Sequence, residues 1–263
     1  MVSDNLQRLP SHQIPTCYLS KLSNLLQLHL PSPRHAHLVQ RLTLDLWAVA
    51  TGLRQGCLID GCSFPEALAY TLSAGLNKIG GRLGELIVIH EQVTESTFVC
   101  SESRLTFSFR DCFSSPVFVE LGGKEPVIVE MPKELENVLE NIQVARVRQL
   151  AIVNGFGPKR VSVAGWLLDF PVIYVVPGHQ SDWTWRGARL KVVNVELGGQ
   201  DRLHQLTAYS IPAELEIALK HDTIVKRFRD KIMFQLQALK SDDQVWKNVE
   251  VHVRLVEMDQ VAL

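Results

Sequence analysis

The chain lacks the short motifs that identify the commoner enzyme families. Its 263 residues contain no P-loop, no complete GxGxxG dinucleotide fingerprint, no GxSxG turn and no HExxH zinc pattern. Each of these motifs supplies a defined piece of chemistry, namely phosphate binding, dinucleotide binding, a nucleophile or metal ligation. The absence of all four therefore disfavours the commoner enzyme families.

Paired ligands for disulfides or metals are also lacking. The five cysteines are widely spread and form no CxxC pair: Cys17, Cys57, Cys62, Cys100 and Cys112. An odd, scattered set is typical of reduced thiols, so neither disulfides nor structural zinc is predicted. His35 and His37 form an HxH pair, but no third ligand lies near them in the sequence, and no metal site is predicted.

Long apolar runs and an excess of either charge are lacking as well. No stretch reaches the roughly 18 uncharged apolar residues of a membrane helix, and residues 1–15 lack the cationic start and apolar core of a signal peptide. The 27 lysines and arginines nearly balance the 28 aspartates and glutamates, so neither a nucleic-acid nor a membrane partner is expected. Together with the unpaired cysteines, these features predict a cytoplasmic or nuclear protein.

What is present is the composition of a globular α/β protein. Apolar residues make up 46% of the chain and charged residues 21%, which is enough to bury a full core. Residues 1–34 are rich in proline and are predicted to form a partly ordered lead-in with one helix. Residues 35–263 are predicted to form a single α/β domain.

Alternating strand and helix patterns predict a parallel sheet. A helix over residues 35–56 is followed by the strand CLID, the helix FPEALAYTLSAGLNKIGGRLG and the strand ELIVIHEQV. Two strands joined in this way are expected to be parallel neighbours with a right-handed crossover. The same order of patterns recurs in QLAIVNG, FGPKRVSVAGWLLD and FPVIYVVPG.

The other segments are predicted to add strands around this sheet. PVFVEL and PVIVEM precede a helix over MPKELENVLENIQVARVRQ, and STFVCSESRLTFSFRDCF indicates a hairpin or edge strands. LKVVNVEL and HQLTAYSIP are predicted neighbours, followed by a helix over residues 213–239 and a half-buried or edge strand, VWKNVEVHVRLVEM. The predicted fold class is α/β, with a mostly parallel central sheet, helices on both faces and antiparallel C-terminal strands.

Two strand ends are candidates for a ligand site, because ligands of open α/β sheets bind at the carboxyl ends of the parallel strands. Asp60 ends CLID and could be a catalytic acid or base, a metal ligand or a ribose contact; alternatively, Asp60 or Ser63 caps the following helix. Cys62 could be a thiol activated by that helix, or a small buried residue. His90 could face the same crevice or simply hydrogen-bond a loop.

The second strand end is predicted to bind an anion. Beyond Asn154, the backbone amides of Gly155 and Gly157 could approach a phosphate or carboxylate. Lys159 and Arg160 add positive charge beside the positive end of the following helix. Alternatively, glycine and proline here only build a tight strand-to-helix turn. The ligand would be a nucleotide or sugar phosphate, and the sequence identifies no cofactor.

A third candidate is the loop after the strand FPVIYVV, which brings aromatic and charged residues together: His179, Asp182, Trp183, Trp185 and Arg186. Two tryptophans beside an arginine could stack on a base or form a hot spot for a protein partner. Alternatively, they cover the edge of the sheet.

Four segments carry a family resemblance: LDLWAVATGLRQGCLIDGCS, VAGWLLDFPVIYV, LTAYSIPAEL and the terminal VAL. In this order they resemble the uncharacterised vertebrate family typified by the chromosome 1 open reading frame 74 protein. The resemblance implies no established activity, cofactor or catalytic residue. It implies that an aspartate ends the first strand, as Asp60 does, whereas the loop with Gly155 and Gly157 is not a hallmark of the family.

Two functions of different kinds remain open. In the first, the protein is an enzyme or small-molecule binder in which Asp60 and the loop at residues 154–160 open onto one crevice. In the second, it is a non-catalytic interaction module that contacts a protein partner through the loop of Trp183 and Trp185. The fold alone does not decide between them.

Overall fold

The computed structural model describes residues 14–102, 116–122, 125–176, 184–199, 203–239 and 245–262. These ranges contain six helices and eleven strands. The helices are α1 Ile14–His29, α2 Ala36–Ala50, α3 Glu66–Ile79, α4 Lys133–Ala145, α5 Arg160–Leu167 and α6 His221–Ala238. The strands are β1 Gly56–Ile59, β2 Leu86–Glu91, β3 Ser96–Ser101, β4 Val117–Glu120, β5 Val127–Val129, β6 Arg146–Val147, β7 Leu150–Val153, β8 Val172–Val175, β9 Thr184–Gly198, β10 Leu203–Pro212 and β11 Asn248–Ala262.

The central sheet is mixed, so the prediction of a mostly parallel sheet is wrong. Its strand order is β1-β3-β2-β7-β6, with β2 and β7 parallel and β3 antiparallel to both of its neighbours. After β2 the chain turns through residues 92–95, with Glu95 in the left-handed region at φ +52°, and returns as β3. A hairpin of adjacent segments closes a short loop, and it places β3 between the two strands that were predicted to be neighbours. The segment STFVCS is therefore a central strand.

The second predicted strand–helix–strand unit is divided between two sheets. β8 lies in a three-stranded sheet of order β5-β4-β8, where it pairs parallel with β4 and not with β7. A third sheet, of order β10-β9-β11, is entirely antiparallel and is called the C-terminal sheet below. The predicted antiparallel pairing of the C-terminal strands is confirmed, and β11 is an edge strand within the described residues.

The helices are shorter than predicted. The helix predicted over residues 131–149 ends at Ala145, and Arg146–Val147 form strand β6. The first long helix ends at Ala50, because Gly52 at φ +79° turns the chain out of the helix before β1. The helix predicted over residues 213–239 begins only at His221, after a short 3-10 turn and Lys220, whose φ is +50°. Helix type and order are as predicted, and only the boundaries differ.

The central sheet is buried on both faces, as predicted. Alternate residues of β2 point in opposite directions: Val88 packs with α1, α2 and α3, whereas Ile87 and Ile89 pack with α4 and α5. Helix α1 belongs to this core, since Leu22 and Leu26 are fully buried. Among the described residues, no helix is both long and apolar enough to cross a membrane.

The C-terminal sheet has its own apolar core. Its inward residues Val193, Val195 and Leu197 pack against Trp47 of α2 and Ile232 of α6. Helix α2 thus contributes to two cores and joins the central sheet to the C-terminal sheet.

Gly56 at the start of β1 is a close-packed position that tests this arrangement. A methyl group there would overlap the carbonyl oxygen of Leu167 and lie 2.8 Å from the Cys100 sulfur. We expect Gly56→Ala to lower the free energy of unfolding by about 1–3 kcal/mol, because the clash is with backbone at the end of α5. Gly84→Ala is the control, since a methyl group there would meet nothing closer than 3.7 Å. Equal denaturation midpoints for the two variants would contradict this packing.

Candidate functional site

Asp60 and Asn154 lie at the same edge of the central sheet but are not adjacent. β1 and β2 are both antiparallel to β3, and β7 is parallel to β2, so β1, β2 and β7 all run in one direction. Asp60 follows β1 and Asn154 follows β7, with β3 and β2 between them. Three interstrand spacings separate their strands by roughly 14 Å.

The turn between β2 and β3 occupies the edge between these two positions. On one side, Gln92 Nε2 donates to Glu66 Oε2 at 2.7 Å and Ser63 Oγ donates to Glu95 Oε2 at 3.4 Å. On the other side, Val93 Cγ2 is 3.2 Å from the position that a Cβ atom on Gly155 would take. The described residues therefore support two separate strand-end regions better than one shared crevice.

Asp60 links the end of β1 to helix α2. Its carboxylate forms an ion pair with Arg41, whose Nη2 also donates to the Asp60 carbonyl oxygen at 3.2 Å. Both side chains are about half exposed, at 57% for Asp60 and 47% for Arg41. The alternative of helix capping is wrong, because α3 follows Pro65 and has no side-chain cap. No contact in the described residues supports Asp60 as an acid or base, and its catalytic role stays a prediction.

The surroundings of Cys62 do not favour its thiolate. Partial burial raises its pKa above the ordinary value of 9.0, and the neighbouring charge of Asp60 raises the pKa further, against a smaller lowering by Arg41. Both of the larger effects disfavour the thiolate. Of the two interpretations of Cys62, the thiol activated by the helix N-terminus is therefore not supported, and the side chain is a small, partly buried residue packed against the core of the central sheet.

The loop at residues 154–160 divides into two unlike halves. Gly155 lies against Glu91, whose Oε1 would be 3.1 Å from a Cβ atom at that position. The Glu91 side chain is buried and accepts hydrogen bonds from Val93 N at 3.2 Å, from Thr94 N at 2.9 Å and from the Thr94 hydroxyl. An anion beside Gly155 would face this buried carboxylate, so that half is unfavourable for anion binding.

The second half retains the features of an anion site. Gly157 has φ +56°, and no atom lies within 4 Å of the place where its side chain would be. Lys159 is half-buried and Arg160 exposed, and Arg160 begins helix α5. Phe156 is buried beneath the loop, with its ring centroid 5.9 Å from that of Phe98. Any anion would be held at Gly157–Arg160.

His90 has a structural contact. It is 1% exposed, and its Nδ1 forms a 2.8 Å hydrogen bond with Thr97 Oγ1 on β3. The alternative of a hydrogen bond to a loop is wrong in its partner, because Thr97 lies on strand β3.

The tryptophan loop is only partly covered. His179, Asp182 and Trp183 lie outside the described residues. Trp185 and Arg186 belong to β9, where their backbones pair with Val261 and Gln260 of β11. Placing these two residues in a loop is therefore wrong, because pairing with the long β11 extends β9 back to Thr184.

Two side-chain clusters were missed by the sequence reasoning. On the open face of the C-terminal sheet, His252 Nε2 lies 3.8 Å from Glu196 Oε2 and 3.6 Å from Glu250 Oε2. Among the described residues, Glu196, Glu250 and His252 are the three potential metal ligands that lie close enough together to share an ion. The alternation in VEVHV puts Glu250 and His252 on one face, but only the strand register brings Glu196 opposite Glu250.

The other missed cluster is buried. Asp45 Oδ1 lies 3.1 Å from Arg54 Nη1 and 3.3 Å from His204 Nε2, and the His204 ring stacks on Trp246 with centroids 5.9 Å apart. All three charged or titratable side chains are at most 15% exposed. This cluster joins α2 to β10 inside the protein, so we assign it to stability and not to ligand binding.

The reactivity of Cys62 provides a test of its surroundings. We expect iodoacetamide to label Cys62 more slowly than the exposed Cys17 near neutral pH, because its raised pKa leaves less thiolate. Asp60→Asn removes one cause of the raised pKa and should speed labelling, without reaching the rate of Cys17, since burial persists. Mass spectrometry of the labelled peptides as a function of pH gives both rates. Glu134→Gln, on the distant helix α4, is the control; Cys62 labelling faster than Cys17 would refute the assignment.

Comparison with known proteins gives a family without an assigned activity. The model of the family described as a domain of unknown function, DUF4504, matches residues 33–263. No curated protein and no solved structure matches the chain. Because the match covers most of the sequence, the chain belongs to the DUF4504 family.

Proposed function

We propose that the protein is a non-catalytic interaction module whose contact surface is the outer edge of β11. This strand has 15 residues and, among the described residues, pairs on one side only, with β9. Its apolar side chains Val253, Leu255 and Met258 are 45%, 51% and 42% exposed. A long edge strand with exposed apolar residues is the observation that supports this function most directly.

The two faces of β11 differ in a way that suits an added strand. On one face Val249 is buried and Val251 half-buried in the core of the C-terminal sheet, and the row continues outward as the exposed Val253 and Leu255. The opposite face carries Glu250, His252 and Arg254. A strand added at this edge would gain main-chain hydrogen bonds, and its alternate side chains would meet an apolar row and a charged row.

Two of the residues predicted from the sequence for protein contact lie next to β11, but on the side of β11 that faces away from its outer edge. Trp185 and Arg186 lie on β9 directly beside the C-terminal part of β11. These two residues therefore do not line the outer edge of β11, and the proposed contact surface is the edge of β11 alone. We also propose that, within its family, the chain belongs with the members typified by the chromosome 1 open reading frame 74 protein. This assignment adds no activity to the proposal.

Selection of displayed random peptides on the immobilised protein tests the proposal. We expect selected peptides to alternate apolar and charged residues, and we expect Val253→Lys/Leu255→Lys to weaken their binding about tenfold or more, because two apolar contacts are replaced by charges. The control is Val127→Lys/Ile128→Lys on β5, another edge strand with exposed apolar residues. Peptides that bind both variants equally well would count against the β11 edge.

A second candidate function is anion binding at Gly157–Arg160. It is supported by the open space at Gly157 and by the two cations that follow it. A phosphate held there would be stabilised by backbone amides and by the charges of Lys159 and Arg160. Asp60, some three strands away, would not take part in this smaller site.

Thermal unfolding with nucleotides and sugar phosphates tests the anion site. A ligand that binds the folded state raises the melting temperature, and the rise grows with the logarithm of the ligand concentration above the dissociation constant. We expect Lys159→Ala to abolish this rise, whereas Lys133→Ala, at the start of helix α4, should leave it unchanged. A melting temperature that does not respond to any of these ligands would exclude the second candidate.

A further inference from the structure

We propose that the occupant of the β11 edge is the same strand of a second copy, paired antiparallel about a two-fold axis at His252. This inference rests on the proposed function, because it uses the same edge. It goes further in naming the partner and the register. The distribution of charge along β11 is the observation that supports this inference.

Charge on the open face of the C-terminal sheet is not balanced within one copy. Glu250 lies directly opposite Glu196 in the strand register, and like charges in that position repel. Four residues further along β11, Arg254 lies opposite Val192 and forms no ion pair with any residue in the described ranges. Glu250 accepts a hydrogen bond from Asn248 Nδ2 at 3.3 Å and has His252 Nε2 3.6 Å away, but it pairs with no lysine or arginine of the described ranges. A copy of β11 running the other way supplies an arginine to Glu250 and a carboxylate to Arg254.

In the register centred on His252, complementary residues meet on both faces. Glu250 lies opposite the partner's Arg254, and the axis repeats this pair. On the apolar face, Val251 lies opposite the partner's Val253, and Val249 opposite the partner's Leu255. The exposed apolar residues Val253 and Leu255 would thus be packed against apolar neighbours. Opposite-charge and apolar cross-strand pairs are the contacts that stabilise sheets.

Neighbouring registers satisfy fewer of these groups. Centring on Arg254 places two guanidinium groups opposite each other, and centring on Val253 places Arg254 opposite the partner's His252. Centring on Val251 leaves Leu255 beyond the paired segment and sets Arg254 against the partner's Asn248. Only the register at His252, among these four, pairs Arg254 with a carboxylate.

Sedimentation of the purified full chain over a concentration series tests the register. We expect a dimer, and we expect each single reversal, Glu250→Arg or Arg254→Glu, to raise the dissociation constant about tenfold or more, because each places two like-charged pairs across the axis. The double reversal Glu250→Arg/Arg254→Glu should restore the dimer. Arg254→Lys keeps the charge and is the matched control.

Folding of each variant is checked by circular dichroism. Glu250→Arg would sit opposite Glu196 in its own sheet, so the monomer should not lose stability. As an independent measurement, His252→Cys should form a disulfide-linked dimer on oxidation more readily than Val251→Cys or Val253→Cys, with the wild-type chain as background. This ranking reports the register even if a charge variant unfolds.

A wild-type chain that sediments as a monomer throughout, or a dimer unaffected by both single reversals, overturns the second copy as occupant. Two failures can be told apart. A monomer that still binds selected peptides at the β11 edge rejects the homodimer and leaves the interaction module standing. A monomer that binds none of them counts against both.

Discussion

The short turn between β2 and β3 fixes the arrangement on which the rest of the central sheet depends. The buried carboxylate of Glu91 accepts from two backbone amides and one hydroxyl of that turn, and so satisfies donors that would otherwise be lost. With the turn closed, β3 must lie beside β2. The consequence at the functional level is that the ends of β1 and β7 stay apart, and Gly155 becomes a packing residue next to Glu91.

The identity and order of most elements could be predicted from the sequence, whereas the order of strands in the sheet could not. The run LIVIH in β2 has the continuous apolar character of a strand buried on both faces, and it is one. STFVCS contains small polar residues, and the pattern of its segment predicts a hairpin or edge strands. It is central because Thr97 is satisfied inside the sheet, by His90 at 2.8 Å and by the Phe64 carbonyl at 3.4 Å. The contact with Phe64, 33 residues earlier in the chain, leaves no signal in local periodicity.

The candidate sites could likewise be predicted from the sequence only in part. A strand end at Asp60 was correctly located, but its partner Arg41 on α2 is 19 residues earlier and comes close only through packing. The glycines at 155 and 157 look equivalent in sequence, yet one contacts a buried carboxylate and the other faces open space. In the C-terminal sheet the alternation of VEVHV predicts which residues share a face, while the register with β9 decides which charges meet.

The edge of β11 raises a physical question, because long free edges invite uncontrolled pairing and are usually protected by charge or irregularity. Glu250 and Arg254 lie on one face, four residues apart and opposite in sign. In a parallel, in-register stack, each would meet its own copy and repel it, which disfavours the arrangement typical of fibrils. In an antiparallel pair centred between them, the same two residues attract. The charge pattern thus favours a closed pair over open-ended stacking. In a two-fold pair the outer edge of each β11 is paired with the other copy, so no further strand can be added there.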